Sequence, residues 1–459
     1  MVNSSRNSKI SVTVGFEETK TPGRKNTRVF FGWWTVLAAG VLGLWGFGSG
    51  FYSFGLLFKP FNDHFGWTSA EIAGASALRR VEGGVGGLTT GWFTDRFGPR
   101  VMCLVGTLFA GLGYILMFFI NSLWSFYLIY GVIVALGWTF SLTGNLDKAI
   151  AEWFVKRRGV ATGIYRVIVA LQIVPPLVTW FIAALGWRMA FVLMGLITWA
   201  LGFPLAWFFF RSKRPEYYGL LPDGETVNFE NVDDESSMIR FGQEFIAEKY
   251  GEVEFTVRQA MRTQVFWVLV AASAISSILW PVITMYLIPY LIDFGMNEIT
   301  AAVILSFLVT MSIPGRIIGG ILVDRISIQK LKYVILSARC LLALGLFLMM
   351  TATDQSMIYI FALLLGLGTG LDIGAFGPTR SRFFGRKAYG TIMGIVSVLT
   401  LPFGVIASIY IGWMYDVTGS YTESLALILI IYVIGLFTHL FLNPPKRRLD
   451  VVSDVNRIF

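Results

Sequence analysis

The sequence predicts an all-α membrane protein with twelve transmembrane helices in two six-helix, pseudo-symmetric halves. Three observations lead there. Apolar runs of about 20 residues, enough to cross about 30 Å of hydrocarbon, recur twelve times along the chain. The chain is 55% hydrophobic and 14% charged, with a mean hydropathy of +0.66, where soluble domains carry about 25% charge. The second half also repeats the first at an offset of 229 residues. Pro60 matches Pro289, Phe65 matches Phe294, Gly66 matches Gly295, Gly91 matches Gly320, and Asp95-Arg96 matches Asp324-Arg325.

The elements follow in order. Residues 1–30 form a polar tail with six Lys and Arg and no apolar signal core, so the first apolar run is read as a retained span. The N-terminal half, 31–210, holds runs at 31–57, 70–93, 101–120, 124–149, 159–185 and 188–210. A polar segment, 211–264, contains "NVDDESS" and ends in "EFTVRQAMRTQVFW", which reads as a short amphipathic helix. The C-terminal half, 265–443, holds runs at 265–291, 299–322, 331–351, 356–379, 388–412 and 422–442, and 444–459 is a second polar tail. With both termini on one side, that side receives 29 of the 37 Lys and Arg and the other side two, Lys59 and Arg188. Lysine and arginine collect on the cytoplasmic side. The expectation is therefore a multi-pass protein of the plasma (inner) membrane with both termini cytoplasmic.

Composition excludes several function classes. The net charge of +9 follows the loops of one side, which argues against a nucleic-acid surface. Cys103 and Cys340 both lie in apolar runs, so no disulfide framework is expected. His64 and His439 are isolated, which provides neither a metal site nor a nucleophile–base pair, so no enzyme and no cofactor are expected. "GGVGG" lies inside a span and is not a phosphate loop.

Several stretches carry a resemblance. "GWFTDRFGPR" follows the second span, and "GGILVDR" is its weaker copy after the eighth. Over essentially its whole length the chain resembles the major facilitator superfamily. "FFGWWTVLAAG", "GLLFKPFNDHFGWTSAEI", "EWFVKRRGVATGI" and "PGRIIGG" are similar to stretches of its monocarboxylate and oxalate–formate type transporters. The resemblance implies a secondary transporter of a small organic anion, coupled to protons or a counter-anion, in which Arg316 is the counterpart of the family's substrate arginine. It also implies a conformational latch at Gly91, Asp95, Arg96, Arg100, Gly320, Asp324 and Arg325. The chain departs from the pattern as well. Ser312 stands where proton-coupled members carry Asp, and Tyr52 and Thr400 stand near positions where members carry Lys. Tyr52 is kept as a substrate-site candidate on that basis.

The embedded charges complete the candidates. An ionisable side chain inside a span is a functional-site hypothesis. Arg316 lies eight residues before Asp324, about 12 Å into the bilayer, where a guanidinium can grip a carboxylate through two hydrogen bonds. Arg79, Arg80 and Glu82 lie inside the second span. Arg79 and Glu82 are spaced to pair on one helix face, which makes Arg80 the freer cation; Arg79 and Arg80 are both candidates to bind the substrate anion, and Glu82 is a candidate proton acceptor. In the repeat, the positions of Arg79 and Arg80 are Leu308 and Val309, so the fold does not require the charge. Asp147 with Arg166, and Arg339 with Asp372, sit at matching depths on neighbouring helices and are expected to pair. Asp147 and Asp372 are also proton-relay candidates, and Arg166 an anion-binding one. The competing readings are a carrier of a neutral or cationic solute, and a transporter-like receptor that binds without flux.

Overall fold

A computed structural model describes residues 29–224, except 143, 172 and 219, and 254–444. The side chains of a few residues in the second and eighth spans, Arg80 among them, lie outside that description. Twelve crossings are present, labelled here α1 to α12. In the N-terminal half, α1 is Phe31–Tyr52, α2 Ser69–Phe97, α3 Pro99–Phe119 and α4 Leu123–Trp153. Residues 158–185 form α5 and 187–209 form α6. In the C-terminal half, α7 is Gln264–Asp293, α8 Glu298–Arg325, α9 Leu331–Thr351, α10 Gln355–Phe384, α11 Tyr389–Thr418 and α12 Thr422–Leu440. Among the described residues, ten continuous stretches are long and apolar enough to cross a membrane. One of them, Arg158–Phe209, is two crossings parted at Gly186, where φ is 74° and ψ 158°. The charged α2 is not among the ten and is the twelfth crossing.

Local chemistry sets the breaks. Thr68 and Glu71 form a reciprocal capping box that starts α2. Gly98, at φ 83°, ends it, and Pro99 begins α3 at once. Gly144, at φ 73°, interrupts α4 and makes Asn145–Trp153 a separate last segment. The last turn of α1, Gly48–Tyr52, is wound as a π-helix, and α7 has the same feature at Val282–Tyr286. Such turns displace carbonyls from the regular ladder. Here the Gly50 carbonyl accepts from Tyr130 Oη at 2.9 Å and from Arg79 Nη1.

The first and last described residues, 29 and 444, lie at one face of the bundle, called here the termini face. Phe30 packs its ring on Trp153 and Phe154, and Lys332 Nζ, at the start of α9, donates to the Leu440 carbonyl at 3.1 Å. The described parts of the linker dock there as well. Glu216 is wholly buried and accepts from Arg386 Nη2 at 2.9 Å, while Arg386 Nη1 donates to the Glu152 carbonyl at 3.0 Å. The Asp223 carboxylate accepts from the backbone N–H groups of Val155, Lys156 and Arg157 at 2.7–3.0 Å. The expected helix in "EFTVRQAMRTQVFW" is present at Val257–Met261, capped by Thr256 and Gln259. "NVDDESS" lies outside the described residues.

Each half has its own apolar core, one cluster in the N-terminal half and two in the C-terminal half. The halves meet chiefly through α2 against α11 and α5 against α8. Glycines make these approaches close. A Cβ on Gly91 would overlap the Gly390 carbonyl, and one on Gly159 would overlap the Gly320 carbonyl. Small residues let helix backbones approach where hydrocarbon provides no hydrophobic drive.

Candidate functional site

The site begins with how α8 is held. Gly315 and Gly319 press on α10 backbone at Leu367 and Leu371, and Gly374 of α10 packs on the Arg316 backbone. This turns the Arg316 side chain toward the other half, where its Nη1 donates to the Arg166 carbonyl at 2.5 Å. Gly163 of α5 faces the Arg316 carbonyl, 3.1 Å from where a Cβ would stand. Tyr52, at the end of the π turn of α1, lies within electrostatic reach of Arg316. Among the described residues Arg316 has no carboxylate partner, and its Nε is buried without a hydrogen bond. Ser312, one turn away, donates to its own helix at Val309 O, 2.6 Å. The result is an uncompensated guanidinium at the junction of the halves.

The α2 charges are arranged differently from the expected pair. Arg79 donates to the Gly50 carbonyl that the π turn exposes, and its guanidinium lies 5.0 Å above the Phe51 ring. Glu82 accepts from Thr139 Oγ1 of α4 at 2.9 Å, and its other oxygen, Oε1, is buried without a partner among the described residues. Arg79 and Glu82 are within electrostatic reach but form no ion pair among the described residues. Arg80 is on the same helix, and its side chain is outside the description.

The other embedded pairs are formed. Arg166 Nη2 contacts both Asp147 oxygens at 2.8 and 3.0 Å, and Tyr165 Oη donates to Asp147 Oδ1 at 2.6 Å. This pair borders open space, its side chains being 27% and 19% exposed. Arg339, fully buried, contacts Asp372 at 3.1 Å and adds bonds to the Ala272 carbonyl and Ser276 Oγ, each 2.7 Å. A further arginine, Arg380, was not singled out by sequence. Reading α10 as ending at 379 placed it in a loop, whereas the helix continues to Phe384.

At the termini face, two aspartates bridge the halves. Asp95, at the end of α2, accepts from the backbone N–H groups of Gly390 and Thr391 at 3.1 and 2.8 Å and from Thr391 Oγ1 at 2.7 Å. These are the first residues of α11, so the carboxylate sits at a helix N-terminus, where backbone donors and dipole favour an anion. Asp324, at the end of α8, accepts likewise from Gly159 and Val160 N–H of α5 at 2.7 and 2.8 Å. Each aspartate also has a cation from its own half. Lys148 bonds Asp95 at 2.6 Å and the Thr94 carbonyl at 3.2 Å, while Arg382 bonds the Val323 carbonyl and lies within electrostatic reach of Asp324. Gly91 and Gly320 are the close-contact points beside them. The remaining motif arginines do not join this contact among the described residues. Arg96 lies over Trp92 and Phe97, Arg100 lies 4.1 Å over Trp207, and Arg325 is exposed. Lys148, Thr391 and the N–H groups of 159–160 and 390–391 were not anticipated. The repeat offset pointed to them only through "VKRRGVATGI" and its counterpart "GRKAYGTIMGI".

Comparison with known proteins agrees with this architecture. The Major Facilitator Superfamily model matches residues 40–407. The chain is 24% identical over 396 residues to monocarboxylate transporter 2 of Homo sapiens, covering 85% of this chain and 81% of that protein. It is 30% identical over 168 residues to human monocarboxylate transporter 1, covering 36% of this chain and 33% of that one. Among solved structures, the proton:xylose symporter XylE superposes with a TM-score of 0.67 at 14% identity, over 91% of this chain and 97% of that one. That is a likeness of fold alone. With twelve crossings in two halves and a family model matched over most of its length, the chain belongs to the major facilitator superfamily and is a transmembrane transporter, not an enzyme.

Proposed function

We propose that the protein moves a small organic anion, of the monocarboxylate class, across the cell membrane by alternating access. The observation that carries this reading is Arg316, an embedded guanidinium at the junction of the halves with no carboxylate partner among the described residues. A substrate carboxylate can take up its remaining donors bidentately, and Tyr52 lies within electrostatic reach of it. Relatives that cover most of the chain are named monocarboxylate transporters, which supports the substrate class. Arg166, whose carbonyl accepts from Arg316, and Arg79 and Arg80 of α2 add positive charge in the N-terminal half.

Proton coupling is assigned to Glu82. Asp147 and Asp372 are committed to ion pairs, while Glu82 holds one buried oxygen without a partner among the described residues. An unpaired buried carboxylate is costly to keep ionised, so binding a proton relieves it. The termini face is taken as cytoplasmic, as the Lys and Arg distribution supports. Contacts through Asp95 and Asp324 then close the cytoplasmic side. They stabilise one of two states because they exist in only one. Each charge-assisted bond contributes about 1.5–3 kcal/mol at most, and water replaces it when the halves part. The closed state is therefore favoured by only a fraction of the sum.

The reading is tested by uptake of labelled formate, acetate, lactate and pyruvate into proteoliposomes, with imposed pH gradients and membrane potentials. Saturable uptake of at least one acid, raised by an inward proton gradient, is expected. Binding without saturable flux would favour a receptor, and saturable flux of neutral solutes alone would overturn the anion assignment.

A further inference from the structure

Four arginines and two aspartates occupy the polar interior between α4, α5, α7, α8, α9 and α10. Arg166 uses Asp147 and Arg339 uses Asp372. Arg316 and Arg380 are left without a carboxylate among the described residues. Arg380 is fixed rather than loose. Its guanidinium lies 4.0 Å over the Phe376 ring, and Nη2 donates to Ser273 Oγ of α7 at 3.1 Å. Its Nε is buried with no partner among the described residues, as is the Nε of Arg166. It is within electrostatic reach of Asp372 first and of Asp147 second, both already bonded to other arginines.

Beside Arg166 the surface of α10 is open at Gly377. Gly377 precedes Arg380 by three residues on α10, which places both on one helix face. A Cβ built on Gly377 would meet only Arg166 Nη2, at 3.8 Å, and nothing else within 4 Å. From the end of α10 at Phe384, Arg380 lies about 6 Å and Gly377 about 10 Å along the helix, and Arg316 lies about 14 Å from the end of α8 at Arg325. The opening is thus nearer the termini face than Arg316.

We propose that Arg380 and Arg166, together with the open surface at Gly377, form a second carboxylate-binding station between the central arginine and the termini face. It rests on the anion-transport reading above. Two buried N–H donors of cationic groups lack acceptors among the described residues, and the arginines outnumber the aspartates. A small carboxylate fits both conditions. An anion entering from the termini side would meet this station before Arg316, and one leaving there would pass it after Arg316. A single strong site would hold the anion; two weaker ones in series let it pass, because each can release to the next.

The test is sided transport in right-side-out and inverted membrane vesicles, using whichever of formate, acetate, lactate and pyruvate the wild type moves fastest. Arg380→Gln is expected to raise the half-saturating concentration on the termini side about tenfold more than on the opposite side, the loss of one charge-assisted contact. Gly377→Ala should show the same one-sided effect. It fills the opening while keeping both arginines, and its methyl group meets only an ordinary contact. Arg380→Lys keeps the charge without the planar fork and should recover part of the loss. Equal shifts on both sides, or no shift for Gly377→Ala, would overturn the station. If Arg316→Gln transports normally, or the wild type moves none of the four acids, the anion-transport reading itself falls.

Discussion

Asp95 and Asp324 make the same contact from opposite halves. Each ends a helix in its own half and accepts from two successive N–H groups at the start of a helix in the other, Gly390-Thr391 and Gly159-Val160. A pair of glycines, Gly91 with Gly390 and Gly320 with Gly159, brings the backbones close enough for these bonds. Removing either carboxylate is expected to loosen the closed termini face. Asp95→Asn and Asp324→Asn each replace charge-assisted bonds by neutral ones, at a cost of about 1 kcal/mol or more. That cost shifts the two-state ratio several-fold. Cysteines placed on the interior faces of α5 and α8 should become more reactive toward a thiol reagent applied at the termini face, and the double variant more so. Unchanged reactivity would remove the aspartates from the closing contact.

The glycines predict a stronger effect in the same direction. A Cβ at Gly91 would overlap the Gly390 carbonyl, which is backbone and cannot move aside. Gly91→Val should therefore prevent closure at the termini face and stop net transport, while the protein still folds and migrates as a monodisperse species. Transport at wild-type rate in Gly91→Val would show that closure does not need this contact.

Glu82 predicts a split between coupling and exchange. Glu82→Gln keeps the Thr139 hydrogen bond in shape but cannot take up or release a proton. Uptake driven by a pH gradient should fall to the level seen without one, while exchange of labelled for unlabelled substrate at equal pH persists. Full gradient-driven accumulation by Glu82→Gln would move the proton site elsewhere.

Asp372 predicts a stability effect. Its partner Arg339 is fully buried, so Asp372→Ala leaves an uncompensated charge in the C-terminal half. Breaking a buried pair costs about 3–5 kcal/mol, and a lowered melting temperature of the purified protein is expected. Replacing both partners with apolar residues should restore much of it. Asp147→Ala, whose pair borders open space, should destabilise less and impair transport more.

Much of this architecture was legible in the chain. Hydrocarbon forces every span to be a long apolar helix, so the twelve crossings and the repeat could be read directly. The Asp147–Arg166 and Arg339–Asp372 pairs followed from matched depths on adjacent helices. Other features depend on events that leave little local trace. Arg79 turned from Glu82 to Gly50 because the π turn of α1 exposes a carbonyl, a backbone change marked only by Gly48 and Gly50. Arg380 was hidden because α10 continues through Pro378 to Phe384. The arginines of the loop motif sit on aromatic rings at the flank of the bundle, while the cation that reaches Asp95 is Lys148, from another helix. The docking of Glu216 on Arg386 joins residues 170 positions apart, a pairing that no local pattern encodes.

The account stands most directly on Arg316, and one measurement tests it: saturable uptake of the best-transported monocarboxylate by Arg316→Gln in proteoliposomes, alongside wild type at equal reconstituted protein. Loss of a buried charge partner costs about 2–5 kcal/mol, so kcat/KM should fall by about 100-fold, with the variant still folded and monodisperse. Uptake within about twofold of wild type would contradict the assignment of Arg316 as the carboxylate's partner, a change too small for a lost buried ion pair.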